Sequence, residues 1–202
     1  MRIPLQQLTG VQEFMGLEFY VNEHVLIPRQ DTETLVELIL NEHKEKNISL
    51  LDVCTGSGCI AVSLAKLGGY ADVTALDLSE EALKVAKSNG EKLLDHPVKF
   101  IKSDMFSALD PENRYDVIVS NPPYIPSQVI EGLEPEVKDH EPRMALDGEP
   151  DGLKFYRILA EEGKKYLKNG GEIYMEIGWD QAKDVTKIFE TMGFKGLGLS
   201  VT

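Results

Sequence analysis

From Ile48 onward, short β-branched runs alternate with stretches whose apolar residues recur every three or four positions. The runs "ISLLDV", "DVTALD", "VKFIKS", "YDVIVS" and "GEIYMEI" predict strands. Between them, "TETLVELILNEHK" places Leu35, Leu38 and Ile39 on one helical face behind Asp31 as a candidate N-cap, and "SEEALKVAKSN" predicts a second helix beginning at Ser79. In "DQAKDVTKIFETMGF", Val185, Ile188, Phe189 and Met192 fall at i, i+3, i+4 and i+7 with Gly193 as a helix stop, which assigns the Met and Phe to the core. This alternation predicts an α/β fold, a mainly parallel twisted sheet with helices on both faces. Ahead of it, "EFMGLEFYVNEHVLIPRQ" holds two apolar β-prone runs around Asn22-Glu23. Residues 1–30 are therefore expected to form a β-hairpin leading into a single domain at 31–202.

No segment approaches the roughly 20 consecutive apolar residues of a membrane span. The start, "MRIPLQQLTG", lacks the apolar stretch of a secretory signal, so a cytoplasmic setting is expected. Cys54 and Cys59 are too few for a disulfide scaffold and lack the partners of a zinc site, and read as small buried residues; no metal is expected. The formal charge of −13 opposes phosphate backbones and makes a nucleic acid an unfavourable partner. Residues 131–151 carry eight acidic side chains against Lys138 and Arg143, a local charge of −6, so nearly half of the net charge sits in one predicted loop.

In "LLDVCTGSGCIAVSLA" the chain passes from strand to helix through Thr55-Gly56-Ser57-Gly58. Glycines there let a ligand approach the backbone, and the following helix start offers unpaired N–H groups. The next strand ends in Asp77, 19 residues after Gly58, where a carboxylate can accept both hydroxyls of a ribose. The combination predicts an adenosine-containing cofactor. Acidic, carbonyl-rich surroundings suit the sulfonium and amino acid of S-adenosylmethionine (AdoMet) better than a pyrophosphate. Asp104 in "KSDMF" is placed to accept from an adenine amine, with Met105 beside the ring; a surface-loop Asp is the competing reading.

The fourth predicted strand ends in "SNPPYIP". A stiff turn is one reading of it, and a pocket rim is the other. Each Pro fixes φ, removes an N–H and pushes the preceding residue to an extended conformation. The segment is thus rich in acceptors and poor in donors. The side-chain carbonyl of Asn121 and the backbone carbonyl of Pro122 can converge on one planar –NH₂, with Tyr124 stacking on it. Such a site accepts an amide or amino-aromatic nitrogen and refuses a carboxylate, by about 10⁴ to 10⁵ where buried acceptors would be left unpaired. No general base is evident in the sequence.

The segments "IPLQQLTG", "EFMGLEFYV", "VLIPRQDTETL", "LDVCTGSGCIA", "SNPPYIP", "HEPRMALDGEPDGLKFYR" and "YMEIG" together resemble the peptide chain release factor glutamine N5-methyltransferases over nearly the full chain. The resemblance implies a Rossmann-like class I AdoMet-dependent methyltransferase that modifies the glutamine of a Gly-Gly-Gln loop in class 1 release factors, with S-adenosylhomocysteine as by-product. It implies catalytic roles for Asn121, Pro122 and Tyr124, with Pro123 and Glu141 also on the substrate side. It implies cofactor contacts from Leu26, Arg29, Cys54, Thr55, Gly56, Gly58, Asp77, Leu78, Asp104, Met105 and Asn121, with Thr32 and Glu33 in the segment over the cofactor. The competing reading of Arg29 is a salt-bridged lead-in to the helix. Cys54 stands where the family has the first glycine of D-x-G-x-G-x-G, and Gln30 replaces a usual Pro. The family's N-terminal helical domain and its final strand are expected to be missing. An adenine amino-methyltransferase acting on DNA or RNA shares "NPPY" and is the alternative, and a non-catalytic AdoMet-binding or partner-binding module is a third reading. The acidic segment is expected to close over the substrate with Glu141 and Arg143 fixing its base, or else to be a solvated surface loop.

Overall fold

Residues 3–200 are described by the computed structural model; the first two and last two residues of the predicted 1–30 and 31–202 units lie outside them. A short helix, α1 (Leu5–Thr9), leads into β1 (Val11–Phe14) and β2 (Leu17–Tyr20), which pair antiparallel with Phe14 opposite Leu17. The hairpin turn is therefore Met15-Gly16, both at positive φ (54° and 70°), as a two-residue turn matched to strand twist requires. This corrects the expectation of a turn at Asn22-Glu23. That dipeptide instead lies in a β-turn after the hairpin, where the Asn22 carbonyl accepts from Val25 N at 3.3 Å and the Asn22 side chain from His24 N at 3.0 Å.

Helix α2 (Gln30–Glu42) starts before the predicted N-cap. Arg29, extended behind Pro28, holds the cap position without a side-chain bond. Asp31 sits inside the first turn with Glu33, where both complement the helix dipole rather than cap it. Gln30 is the first helical residue, the position where proline is well tolerated. Thr32, Val36 and Ile39 are the buried face, flanked by half-buried Leu35 and Leu38.

Then come β3 (Ser49–Val53), α3 (Cys59–Ser63) with a π-turn at Leu64–Gly68, β4 (Asp72–Asp77), α4 (Glu80–Leu93), β5 (Lys99–Lys102) and β6 (Tyr115–Ser120). Ser79 caps α4 as predicted, its hydroxyl accepting from Ala82 N at 3.1 Å. Three short helices follow, α5 (Ser127–Ile130), α6 (Pro135–Lys138) and α7 (Arg143–Leu146), so the acidic segment is not irregular throughout. The chain continues with α8 (Lys154–Tyr166), β7 (Leu167–Met175) and α9 (Ala182–Thr191). Val185 and Phe189 of α9 are buried, but Met192 forms the C-cap and is 37% exposed, which removes it from the predicted core. Residues 194–200 form no strand.

The five longer-range strands are all parallel, in the order β5-β4-β3-β6-β7. All five residues of β3 are buried, as a central strand covered on both faces requires. From β3 the chain crosses first to β4 on one side and later to β6 on the other, so the strand order reverses between β3 and β6 and opens a crevice at their carboxyl ends. The hairpin is welded to this sheet: Phe14 and Phe19, edge-on with ring centroids 6.0 Å apart, belong to the same buried cluster as Leu50 and Val117. Asn89 of α4 accepts from Tyr20 N at 2.7 Å and donates to Tyr20 O at 3.0 Å. No helix among the described residues is long and apolar enough to cross a membrane.

Phe19→Ala is expected to cost about 3–5 kcal/mol of unfolding free energy in a denaturant titration. Leu8→Ala, at a side chain that is 66% exposed, should stay within about 0.5 kcal/mol.

Candidate functional site

A cleft of about 280 Å³ opens at the carboxyl ends of the strands on both sides of the switch point. Its floor is the loop after β3. Cys54 there has φ 64° and Gly56 has φ 56°, conformations in which a glycine is unstrained and which cost Cys54 of order 1–3 kcal/mol. The Cys54 Sγ lies 3.8 Å from Met105 Sδ, and the residue lines the cleft half-buried, which corrects its assignment as a buried filler; Cys59 is buried as expected. A Cβ on Gly56 would meet no atom within 4 Å, so the peptide faces open space.

Two carboxylates hold this loop. Asp52, fully buried, accepts from Thr55 Oγ1 at 2.5 Å and Ala61 N at 3.2 Å, while its Oδ1 has no partner among the described residues. Burial pushes the Asp52 carboxyl up to about 7 against those two hydrogen bonds, with the charge of Asp77 adding to the rise. Asp77 accepts from Gly56 N and from Ser79 N, both at 2.8 Å. Each Asp77 oxygen keeps a second lone pair, so the carboxylate can still accept two further donors from the cleft. Burial raises its pKa, and the bonded N–H groups of Ser79 and Gly56, with that of Leu78 nearby, oppose the rise.

At the β6 side, Ser120 closes the strand and Asn121 and Pro123 reach the cleft wall. The Asn121 Nδ2 donates to Thr32 Oγ1 at 3.2 Å, and Thr32 donates to Glu176 Oε2 at 2.6 Å. Tyr124 donates from its hydroxyl to the other Glu176 oxygen at 3.2 Å. Burial raises the Glu176 carboxyl, the hydrogen bonds from Thr32 and Tyr124 and the nearby Asn121 amide lower it, and Asp31 raises it again. Behind the tetrapeptide, Ile125 N donates to Leu146 O and Gly148 N to Ile125 O, pinning the end of the acidic segment to "NPPYIP". A Cβ at Gly152 would run into the Tyr124 carbonyl, which explains the glycine there. Pro142, Met144, Ala145, Asp147 and Glu149 from this segment form the facing wall.

A profile of a methyltransferase domain matches residues 44–193. The release factor glutamine methyltransferase of Geobacter sulfurreducens is 45% identical over 193 residues, covering 96% of this chain and 67% of that protein. The protein of the same name in Fusobacterium nucleatum is 45% identical over 203 residues, covering 98% of this chain and 56% of its own length. The chain belongs to the release factor glutamine methyltransferases. It spans only part of the length of these relatives. Among solved structures, a ribosomal protein L11 methylase from Lactobacillus delbrueckii superposes with a TM-score of 0.63 at 20% identity, over 86% of this chain and 75% of that one, and shows the class I methyltransferase fold.

In this member of the release factor glutamine methyltransferases, the cleft gathers Leu26, Arg29, Thr32, Cys54, Thr55, Gly56, Asp77, Leu78, Asp104, Met105, Asn121 and Pro123. Six residues singled out from the sequence lie off its wall. Gly58 packs against α4, where a Cβ would come within 3.0 Å of Ala86 Cβ; its absence of a side chain serves helix packing. Pro122 is buried and Tyr124 is turned to Glu176. Glu141, with a side chain only 1% exposed, sits behind Arg29, which donates to it at 2.7 Å, and Ile27 N donates to it at 3.3 Å. Arg29 is thus both salt-bridged and on the cleft. Arg143 bonds Glu131 at 2.8 Å and Asp147 at 3.3 Å, bracing the acidic segment internally. Glu33 accepts from Met15 N at 2.6 Å and holds the hairpin turn, not the cofactor segment. Sequence reasoning missed Phe155 of the wall and, behind the wall, Asp52 and Glu176; a carboxylate inside "LLDV" and another in "YMEIG", each in an apolar run, were the signals available.

Asp52, whose folded pKa of about 7 lies above the unfolded 3.8, binds more protons folded than unfolded between those values. Its contribution to stability is present below that window and is lost as pH rises through about 7. The melting temperature should therefore fall between about pH 4 and about pH 7, and Asp52→Asn should flatten that fall in a calorimetric series.

Proposed function

We propose that this chain transfers a methyl group from AdoMet to the side-chain amide nitrogen of the Gly-Gly-Gln glutamine in class 1 peptide chain release factors, working in the cytoplasm. One observation carries the reading. The Asn121 amide is pinned by its –NH₂ to Thr32 beside the cleft, so its carbonyl is the group left for a substrate, and it accepts no bond among the described residues.

The cleft's chemistry fits AdoMet. Its lining brings Asp77 and Asp104, together with Asp147 paired with Arg143 and Glu149 paired with Lys154, against His24 and an Arg29 already paired with Glu141. A pyrophosphate would find no free cation in that lining, whereas a sulfonium and an ammonium are favoured there. When bound, AdoMet supplies an electrophilic methyl group. In this reading Asp77 takes the ribose hydroxyls on its remaining lone pairs and Asp104 takes the adenine amine. Leu26, Leu78 and Met105 cover the apolar surface, and the backbone of Cys54, Thr55 and Gly56 borders the rest.

An amide nitrogen is a poor nucleophile because its lone pair is delocalised, so the protein's contribution is alignment and charge stabilisation. Asn121 and the Pro122 carbonyl, which accepts no hydrogen bond among the described residues, receive the two N–H bonds of the substrate amide. They orient the nitrogen and stabilise positive charge as it develops there. Tyr124, tethered by its hydroxyl, flanks that position. The acidic wall favours a basic protein segment over a phosphate backbone, and the relatives' names point to release factors.

Incubation with AdoMet and a class 1 release factor, followed by digestion and mass spectrometry, should place one methyl group on the Gly-Gly-Gln peptide. Asn121→Ala should lower kcat/KM by about 10²–10³. Asp77→Ala should weaken AdoMet binding in calorimetry by about 10- to 100-fold. A protein that binds AdoMet and leaves the peptide unmodified, while incorporating methyl into DNA or RNA, would favour the adenine reading instead.

A further inference from the structure

We propose that Glu176, acting through Thr32, is a positioning residue that fixes the Asn121 side-chain amide with its carbonyl toward the cleft. The site's preference for a substrate that donates N–H then originates one layer below the "NPPY" segment. The inference rests on the proposed function for its consequence in catalysis, but not for its geometry.

Proton placement is fixed at each step of the network. An ionised carboxylate only accepts, so both hydroxyls on Glu176 must donate to it: Thr32 at 2.6 Å and Tyr124 at 3.2 Å. A threonine hydroxyl has one proton. With that proton committed to Glu176, the Thr32 oxygen can only accept, and the group facing it at 3.2 Å must be the Asn121 –NH₂. A flipped amide would set the Asn121 oxygen against the Thr32 lone pairs and leave the amide donors pointing into the cleft. The polarity of Glu176 is thereby transmitted to the atom that meets the substrate.

The backbone around Glu176 is held independently of this network. Glu176 N donates to Ser120 O at 3.1 Å, extending the β6–β7 pairing one rung, and the Tyr156 hydroxyl donates to the Glu176 carbonyl at 3.1 Å. Glu176 therefore sits level with Asn121 because of strand register. Around the carboxylate stand Thr32 and Asp31 of α2, Asn121 and Tyr124 of the segment after β6, Tyr156 of α8 and Cys59 of α3, with Arg29 acting on Tyr124 from the cap of α2. Burial and Asp31 hold the Glu176 carboxyl above the usual carboxylate range. A protonated Glu176 can donate to Thr32, and Thr32 can then donate to Asn121, which reverses the chain.

The test pairs Glu176→Gln with Thr32→Val and Thr32→Ser, so that a variant that fails to fold does not decide the matter. Two readouts are used: single-turnover methylation, and hydrogen exchange of the Asn121 side-chain amide by NMR, identified by its loss in Asn121→Asp. Glu176→Gln and Thr32→Val should lower kcat by about 10- to 100-fold with KM for AdoMet within about twofold, and should speed exchange of the Asn121 –NH₂. Thr32→Ser should restore both. The wild type should lose rate on acidification above the usual carboxylate range, and Glu176→Gln should not show that limb. Unchanged kcat and unchanged exchange in Glu176→Gln, or equal losses in Thr32→Ser and Thr32→Val, would overturn the proposal. A wild type that methylates no release factor would defeat the functional reading alone, since the exchange measurement still judges the relay.

Discussion

Val53 and Ser120 lie opposite each other at the last rung of the β3–β6 pairing, and the Ser120 hydroxyl donates to the Val53 carbonyl at 2.6 Å. Both strands release their loops from that rung. The loop from β3 becomes the floor at Cys54–Gly56 and the segment from β6 becomes the acceptor edge at Asn121. A slip of one residue in this register would turn every inward side chain of β6 outward and carry Asn121 away from the floor. The β6–β7 pairing then sets Glu176 one rung further on, against Ser120. Three segments distant in sequence thus meet because one parallel register fixes where they leave the sheet.

Electrostatics at the site run in one direction. Asp52, Asp77, Glu141 and Glu176 are all held above their ordinary range, with burial as the largest cause for each. Each also has specific partners, from backbone N–H groups, hydroxyls or Arg29, that keep the burial tolerable. A fold that concentrates acceptors around one cleft carries a cost in stability at neutral pH, and the return is an environment hostile to anions and hospitable to cations and N–H donors. The buried Asp52 oxygen that finds no partner among the described residues is the sharpest instance of that cost.

Much of this architecture was legible in the sequence, because β-branched runs and a capping serine act locally: β4 and β6 coincide with "DVTALD" and "YDVIVS", and Ser79 caps as expected. The hairpin turn was not, since Met15-Gly16 lacks the Asn-Gly or Asp-Gly cue, while Asn22 offers a stronger turn signal for a different turn. On the cleft, Asp77 and Asn121 were readable from motif spacing. Glu176 was not, because its partner Thr32 is 144 residues away and only the packing of α2 over β7 brings them together. Gly58 shows a second demand that the sequence hides: a glycine in a nucleotide-type loop suggests ligand approach, and this one also packs against Ala86 of a neighbouring helix.

In the proposed function, the edge formed by Asn121 and Pro122 acts as an acceptor-only clamp for an amide. It is tested most directly by comparing methyl transfer to a release factor with Gly-Gly-Gln against the same factor carrying Gly-Gly-Glu. The account predicts a preference for the amide of about 10⁴ to 10⁵ in kcat/KM, because the carboxylate would leave buried acceptors unpaired. Comparable rates on the two substrates would contradict it.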